Sequence, residues 1–159
     1  MCGMEYLSAS LKNNSTRLRF LSLSGHRLTE TDISGLAASP EDCQLEELCL
    51  TDCHLSDLSI AIFATMLPKM NFLKFAWLHD NPFGQVGASA LLAFLERNWE
   101  LEQLILPRGR GPAMDDLQRQ IEFFLVLNLA GRRLLRATNN IPIQLALWPK
   151  VLDRADKAR

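Results

Sequence analysis

The sequence has no long apolar run, no visible secretion signal and no excess of one charge. No apolar stretch in its 159 residues approaches the roughly 18 that a membrane-spanning helix needs. The first residues, MCGMEYLSASLKNN, lack the apolar core of a signal peptide. Its 17 Lys and Arg nearly balance its 18 Asp and Glu, which argues against a globally basic nucleic-acid binder. With 48% hydrophobic residues the chain can still bury a core, and we expect a cytoplasmic protein.

Cysteine is also scarce. The chain has four cysteines, Cys2, Cys43, Cys49 and Cys53, and a chain with this apolar content needs no disulfide framework. The spacing C-x5-C-x3-C-H around Cys43 to His54 matches no common zinc pattern. We therefore predict free thiols and no metal site.

Signals for catalysis are weak. None of the three histidines, His26, His54 and His79, has a sequence-evident nucleophile with an orienting acid. The stretch Arg108-Gly109-Arg110-Gly111 is not followed by the GK[ST] of a phosphate-binding loop, so it predicts an irregular turn. The sequence predicts neither an enzyme nor a bound cofactor.

Leucines recur with a fixed period, and this period predicts the fold. Copies begin at Leu18, Leu45, Leu73 and Leu101, and the first three read LxxLxLxxHxL, LxxLxLxxCxL and LxxAxLxxNxF. The fourth degenerates at Pro107. This is the leucine-rich repeat consensus, in which each alternating run forms a short strand. Between strands the apolar spacing predicts helices, most clearly over Gly87–Asn98.

The N-terminus matches a repeat helix without a preceding strand. Residues 3–14 align with residues 87–98 at an offset of 84, three times 28. We expect Leu7 and Leu11 of this helix to pack on the first full repeat. The sheet edge upstream of Leu18 then has no cover in the sequence, which predicts self-association through this edge or a further repeat upstream.

The stretch NPFGQVGASALLAFLERNWELEQLIL resembles the 28-residue repeat of the ribonuclease-inhibitor-like subfamily, which NOD-like receptors and Ran GTPase-activating proteins share. The resemblance covers about residues 3–106. It implies an α/β solenoid, a partial horseshoe with short parallel strands on its concave face and helices on its convex face. It also implies that Asn81, Cys53 and His26 occupy the slot that caps the turn inside the coil.

The C-terminal part has a different pattern. Helical spacing over Ala113–Leu127, after Pro112, predicts a helix that ends near Asn128 or Gly131, although Phe124–Leu134 also fits a fifth degenerate strand. The tail IPIQLALWPKVLDRA resembles a motif that follows such repeats in algal leucine-rich repeat proteins. We predict that it forms a helical cap over the last repeat through Leu145, Trp148, Val151 and Leu152. The predicted division is residues 1–17 (partial repeat), 18–110 (repeats) and 111–159 (cap).

The strand pattern also predicts a binding face. Residues between the inward leucines point outward, so residues at equivalent positions form rows across the strands. One row contains aromatic residues beside an aliphatic one, and such exposed clusters mark interfaces. The predicted protein-binding residues are Phe20, Glu47, Cys49, Phe75, Trp77, His79, Gln103 and Ile105.

The charges are uneven along the chain. Residues 1–107 contain 7 basic and 13 acidic residues, a net charge of −6, whereas residues 108–159 contain 10 and 5, a net charge of +5. The basic segment could contact the acidic repeats or an anionic partner. The function that we predict is a non-enzymatic module that binds a protein through the concave face. The alternatives are a GTPase-activating protein related to the Ran family, or RNA contact through the basic C-terminal segment.

Overall fold

A computed structural model describes residues 6, 7, 9, 10, 18–37, 44–107, 111–131, 149, 152–154, 156 and 157. Within these residues, no helix combines the length and the apolar character that crossing a lipid bilayer would require.

Four three-residue strands form one parallel sheet. They are β1 (Phe20–Ser22), β2 (Glu47–Cys49), β3 (Phe75–Trp77) and β4 (Gln103–Ile105), and they lie side by side in chain order. Phe20 pairs with Glu47, Glu47 with Phe75, and Phe75 with Gln103. Each pair is separated along the chain by the same interval as the repeat copies in the sequence. The α/β class, the strand positions and their phase are therefore as the repeats predict.

Each of the four strands is followed by a helix. The helices are α1 (Glu30–Ala37), α2 (Asp57–Met66), α3 (Gln85–Leu95) and α4 (Pro112–Leu129), and a 3-10 turn, Leu67–Lys69, extends α2. Each helix packs against the next one along the chain. The helix predicted over 87–98 exists but begins and ends earlier in the sequence.

The core lies between the sheet and the helices. Leu48 of β2 and Ile60 and Phe63 of α2 have no exposed surface, and neither do Leu50 and Leu78, which directly follow β2 and β3. They belong to one apolar cluster, so the helices cover one face of the sheet and leave the other open.

The first repeat departs from the inward pattern. Leu18 is 37% exposed, although its slot predicts an inward side chain, and Leu21 and Leu23 are only partly buried. β1 is one of the two end strands of the described sheet. At the other end, beside β4, α4 packs on α3 and adds Ile121 and Leu125 to the core, and Leu101 and Leu104 are buried there. Residues 6, 7, 9 and 10 are helical, as predicted, and Leu7 packs against the core. Leu11 lies outside the described residues.

The turn slot is filled as the resemblance implies. The buried Asn81 amide nitrogen donates to the carbonyls of Leu50 and Leu78 at 2.7 and 2.8 Å, and its oxygen accepts from the amides of Cys53 and Leu55 at 2.9 and 3.0 Å. The Cys53 thiol, also buried, donates to the Leu23 carbonyl at 3.0 Å. In these two slots one side chain thus connects the backbones of two neighbouring repeats.

His26 occupies the equivalent slot of the first repeat, but it lies at the surface. Its Nδ1 lies 3.1 Å from the Leu23 carbonyl and 3.2 Å from that of Ser24, both in its own repeat. It is exposed, unlike Cys53 and Asn81.

Acidic side chains connect the start of one helix to the next. The Asp57 carboxylate at the first turn of α2 accepts from the amides of Gly84 and Gly87 at the start of α3, at 2.9 and 2.6 Å. Glu30 at the start of α1 likewise accepts from the hydroxyl of Ser56, the N-cap residue of α2. These carboxylates occupy the positive end of the helix dipole and fix the spacing of adjacent repeats.

The helix predicted after Pro112 is confirmed. The alternative, a fifth strand, is wrong for residues 124–129, which are helical. Gly131 follows the helix end with φ 94°, a conformation that glycine adopts without a Cβ penalty. Asn128 does not cap the helix: it is buried within α4 and donates to the Leu101 carbonyl at 2.8 Å.

Of the four residues predicted to cap the last repeat, only Leu152 is described, and it is 48% exposed. Leu145, Trp148 and Val151 lie outside the described residues, as do residues 108–110 of the predicted irregular turn. The division into three segments remains a prediction.

Candidate functional site

The open face of the sheet carries all eight residues that the sequence predicted to bind a partner. Strand pairing places the equivalent positions of two rows directly beside one another, and backbone hydrogen bonds from Gly25 to Thr51 and from Asp52 to His79 continue the arrangement into a third row. The rows are Phe20–Glu47–Phe75–Gln103, Ser22–Cys49–Trp77–Ile105 and Ser24–Thr51–His79–Pro107. The described residues of these rows are partly or fully exposed. That these residues bind a partner stays a prediction.

Aromatic rings form the apolar centre of this face. The rings of Phe75 and Trp77 stack with centroids 6.2 Å apart and planes inclined by 23°. Ile105 lies beside Trp77 on the next strand, and Phe20 on β1 is 52% exposed. Strand residues i and i+2 point to the same side, which is why the FAW sequence of β3 places both rings outward and Ala76 inward.

A chain of polar side chains borders the aromatic centre. The Cys49 sulfur lies 2.9 Å from the Ser24 hydroxyl and 3.3 Å from the Thr51 hydroxyl. The Thr51 hydroxyl lies 3.4 Å from His79 Nδ1, and His79 Nε2 lies 3.8 Å from the Asp80 carboxylate. Side chains from three repeats are therefore joined across β1, β2 and β3.

The two described thiols differ in chemical character, and both are free. Partial burial raises the pKa of Cys49, but hydrogen bonds with Ser24, Thr51 and Ser22 outweigh burial, and the pKa lies below its ordinary value. Burial raises the pKa of Cys53 above its ordinary value, more than hydrogen bonds with the backbone of His26 and Gly25 lower it. We therefore expect Cys49 to be the more reactive of the two, because thiolates rather than thiols are nucleophiles.

An acidic edge follows the third row, and the sequence analysis missed it. Asp52 and Asp80 are exposed and have φ of 53° and 59°, in the position that Gly25 holds in the first repeat with φ 75°. Aspartate tolerates this left-handed conformation better than most side chains. The repeat spacing could have found both residues, since they stand one and two repeats after Gly25 in the sequence.

A groove runs from this acidic edge to the start of α4, and two predicted site residues, His79 and Ile105, line it. Its other described walls include Asp52, Asp80 and Met114. Within the described part of the chain, no three His, Cys, Asp or Glu residues are grouped so that they could hold a metal ion.

No protein-family model matches this sequence, and comparison with curated proteins also gave no match. Among solved structures, the chain is similar to the leiomodin-1 actin-binding site 2, with a TM-score of 0.69 and 14% identity over 99% of this chain and 92% of that one. It also matches the tropomodulin C-terminal domain of Caenorhabditis elegans, with a TM-score of 0.49 and 14% identity over 85% of this chain and 98% of that one. At this identity the leiomodin-1 likeness concerns the fold alone.

Proposed function

We propose that this protein is a leucine-rich repeat module that binds a protein partner through the open face of its sheet. The observation that carries the proposal is the stacked pair Phe75 and Trp77, which lies partly exposed on the face that the helices leave open, beside Ile105. Exposed aromatic and aliphatic side chains that cluster are typical of interfaces.

The rigidity of the scaffold supports this function. Each face residue sits on a strand or just after one, where the backbone is bonded to the neighbouring repeat, and the Asn81 side chain connects two of the repeats. Side chains presented on a preordered backbone lose little conformational entropy on binding. As part of the same proposal, we take the repeats to be of the ribonuclease-inhibitor-like type, on a curved solenoid in the cytoplasm.

The two alternatives have less support. A GTPase-activating site requires arginines and polar groups, and the described rows of the open face contain neither Arg nor Lys. RNA contact would depend on the basic C-terminal segment, where Arg132, Arg133 and Arg136 lie outside the described residues.

Actin is the first partner to test, because the leiomodin-1 structure named for its actin-binding site shares the fold. Sedimentation with filamentous actin and a pull-down with monomeric actin are the direct assays. Actin is only a first choice of partner, and the proposal itself concerns the face.

The face is tested with a pair of matched variants. Affinity purification is carried out with the unchanged chain, with Trp77→Ala, and with Val86→Ala, which removes an exposed apolar side chain from α3 instead. Trp77→Ala should weaken partner binding by about 2 kcal/mol or more, as hot-spot residues do, while Val86→Ala binds as the unchanged chain does. Equal binding by all three chains would contradict the proposed function.

A further inference from the structure

The first row of the open face places one carboxylate between two aromatic rings. Glu47 on β2 pairs directly with Phe20 on β1 and with Phe75 on β3. Adjacent strands are about 4.8 Å apart, so Glu47 has a phenylalanine as its direct neighbour on each side of the row. Trp77, stacked on Phe75, extends the aromatic surface into the second row.

The nearby cations are already paired with a different acid. Glu46 Oε1 lies 3.3 Å from Arg19, and Glu46 Oε2 lies 3.9 Å from Lys74. In the described part of the chain no ion pair involves the Glu47 carboxylate, which is partly buried. A carboxylate on a partly buried residue without a countercharge favours an incoming cation.

Beyond the starts of the strands, the charges on the face are negative, like that of Glu47. The row at the strand starts, Arg19, Glu46, Lys74 and Glu102, contains two charges of each sign. Beyond it, the described rows and the edge hold three acids, Glu47, Asp52 and Asp80, and no Lys or Arg. A basic partner segment complements this surface, whereas the phosphates of a nucleic acid are repelled by it.

From this arrangement we infer that the partner inserts an arginine side chain above Glu47, between Phe20 and Phe75, and places a neighbouring apolar side chain on Trp77 and Ile105. Arginine fits better than lysine because its planar guanidinium can stack on aromatic rings and bond a carboxylate through two nitrogens. The inference rests on the proposed function, since it names the chemistry that the same face recognises.

The test uses a phage-displayed library of random twelve-residue peptides, selected on the immobilised 159-residue chain. Selected peptides are synthesised and their binding is measured by isothermal titration calorimetry to the unchanged chain and to the variants Glu47→Gln, Trp77→Ala and Glu122→Gln. The last variant makes the same chemical change on an exposed position of α4. Each arginine peptide is also made with citrulline, the neutral analogue of arginine.

We expect the selection to yield peptides that contain arginine. These peptides should bind the Glu47→Gln variant about tenfold or more weakly than the unchanged chain, and should bind the Glu122→Gln variant as tightly as the unchanged chain. Replacement of arginine by citrulline should weaken binding to the unchanged chain by a similar factor but have little effect on Glu47→Gln. If the losses of binding caused by citrulline and by Glu47→Gln are not additive in this way, the arginine contacts Glu47 directly.

The outcomes separate this inference from the proposed function. The inference is wrong, and the proposed function is unaffected, if the selected peptides require Trp77 but contain no arginine. The same holds if they require Trp77 but bind the Glu47→Gln variant as tightly as the unchanged chain. A library that yields no peptide dependent on Trp77 overturns both. Circular dichroism of each variant identifies any loss that is due to unfolding.

Discussion

Asn81 shows at the residue scale how one side chain can connect two repeats. Its amide makes five hydrogen bonds to backbone groups of its own repeat and of the preceding one, and the residue is 5% exposed. A buried backbone group that loses its partner costs about 1 to 3 kcal/mol. Asn81 satisfies buried groups of both kinds because its amide has both donor and acceptor atoms.

Asn81→Ala should therefore lower the free energy of unfolding by about 3 kcal/mol, because the amides of Cys53 and Leu55 lose their acceptor. Urea denaturation followed by circular dichroism measures the change. Asn71→Ala, at an exposed position, is the control and should remain within about 0.5 kcal/mol of the unchanged chain. A similarly small effect at Asn81 would contradict the bonding role.

The thiols provide a second prediction at this scale. At pH 8, iodoacetamide should modify Cys49 faster than Cys53 in the folded protein, because the pKa of Cys49 is lowered and that of Cys53 is raised. Raising the pH increases the thiolate fraction of Cys49 before that of Cys53. Peptide mapping with fragment-ion assignment distinguishes the two sites. In urea the rates should converge, and equal rates in the folded state would refute the prediction.

At the scale of the element, two adjacent residues at the end of β3 have different roles, one in the core and one on the surface. Leu78 directly follows β3 and has no exposed surface, while Trp77 is partly exposed and stacks on Phe75. Leu78→Ala should cost about 2 to 5 kcal/mol through lost burial and a cavity. Trp77→Ala should cost less than about 1.5 kcal/mol, mainly its contact with Phe75. Denaturant midpoints compare the two variants, and the reverse order would show that the strand phase is wrong.

The contact between α2 and α3 depends on a glycine. A Cβ at Gly87 would lie 2.9 Å from Asp57 Oδ1 and 3.2 Å from Ile60 Cβ. Asp57 cannot withdraw without losing its bonds to the Gly84 and Gly87 amides.

Gly87→Ala should therefore destabilise the protein, although alanine is favoured over glycine in a helix by about 1 kcal/mol. Overpacking costs about 1 to 3 kcal/mol and outweighs this gain. Thermal unfolding measures the balance. Ser89→Ala, an exposed change in the same helix, is the matched control and should shift stability by less than about 0.5 kcal/mol. A stabilised Gly87→Ala variant would show that the helices can move apart freely.

At the scale of the whole molecule, stability is shared through nearest neighbours. Each strand pairs with the next one along the chain, and each helix packs on the next one. Such a chain of contacts is weakest where a repeat has a neighbour on one side only. In the described sheet β1 and β4 are the two end strands, and Leu21 of β1 is less buried than Leu48 of β2 or Leu104 of β4.

Hydrogen exchange should follow this gradient. The Leu23 amide donates to Cys49, and the Leu50 amide to Trp77, both at 2.9 Å. The bonds are equal in length, so a difference in exchange reports local opening rather than bond geometry. We expect Leu23 to exchange about tenfold or more faster than Leu50 in two-dimensional NMR. Equal protection would show that the repeats open only together.

The sequence analysis predicted the repeated part of the molecule well and the connections between repeats poorly. The strand rows and the outward position of Trp77 followed from the leucine period, because a one-residue slip would turn every leucine out of the core. The proposed role of Glu47 and the acidic edge at Asp52 and Asp80 were not foreseen. The repeat spacing aligns these positions, but it gives neither the partial burial of Glu47 nor the left-handed backbone at Asp52 and Asp80.

What the sequence determined by itself is the register, since the interval between repeat copies in the sequence is also the interval between paired residues in the sheet. The tertiary structure alone decided between a helix and a fifth strand after Pro112, because local spacing fits both. In the structure, α4 packs along α3 and buries Ile121 and Leu125 in the common core. Likewise, only the tertiary structure places the Asp57 carboxylate on the amides of Gly84 and Gly87, which join α2 to the start of α3. Contacts of this kind depend on groups that meet between packed helices, and local pattern does not encode them.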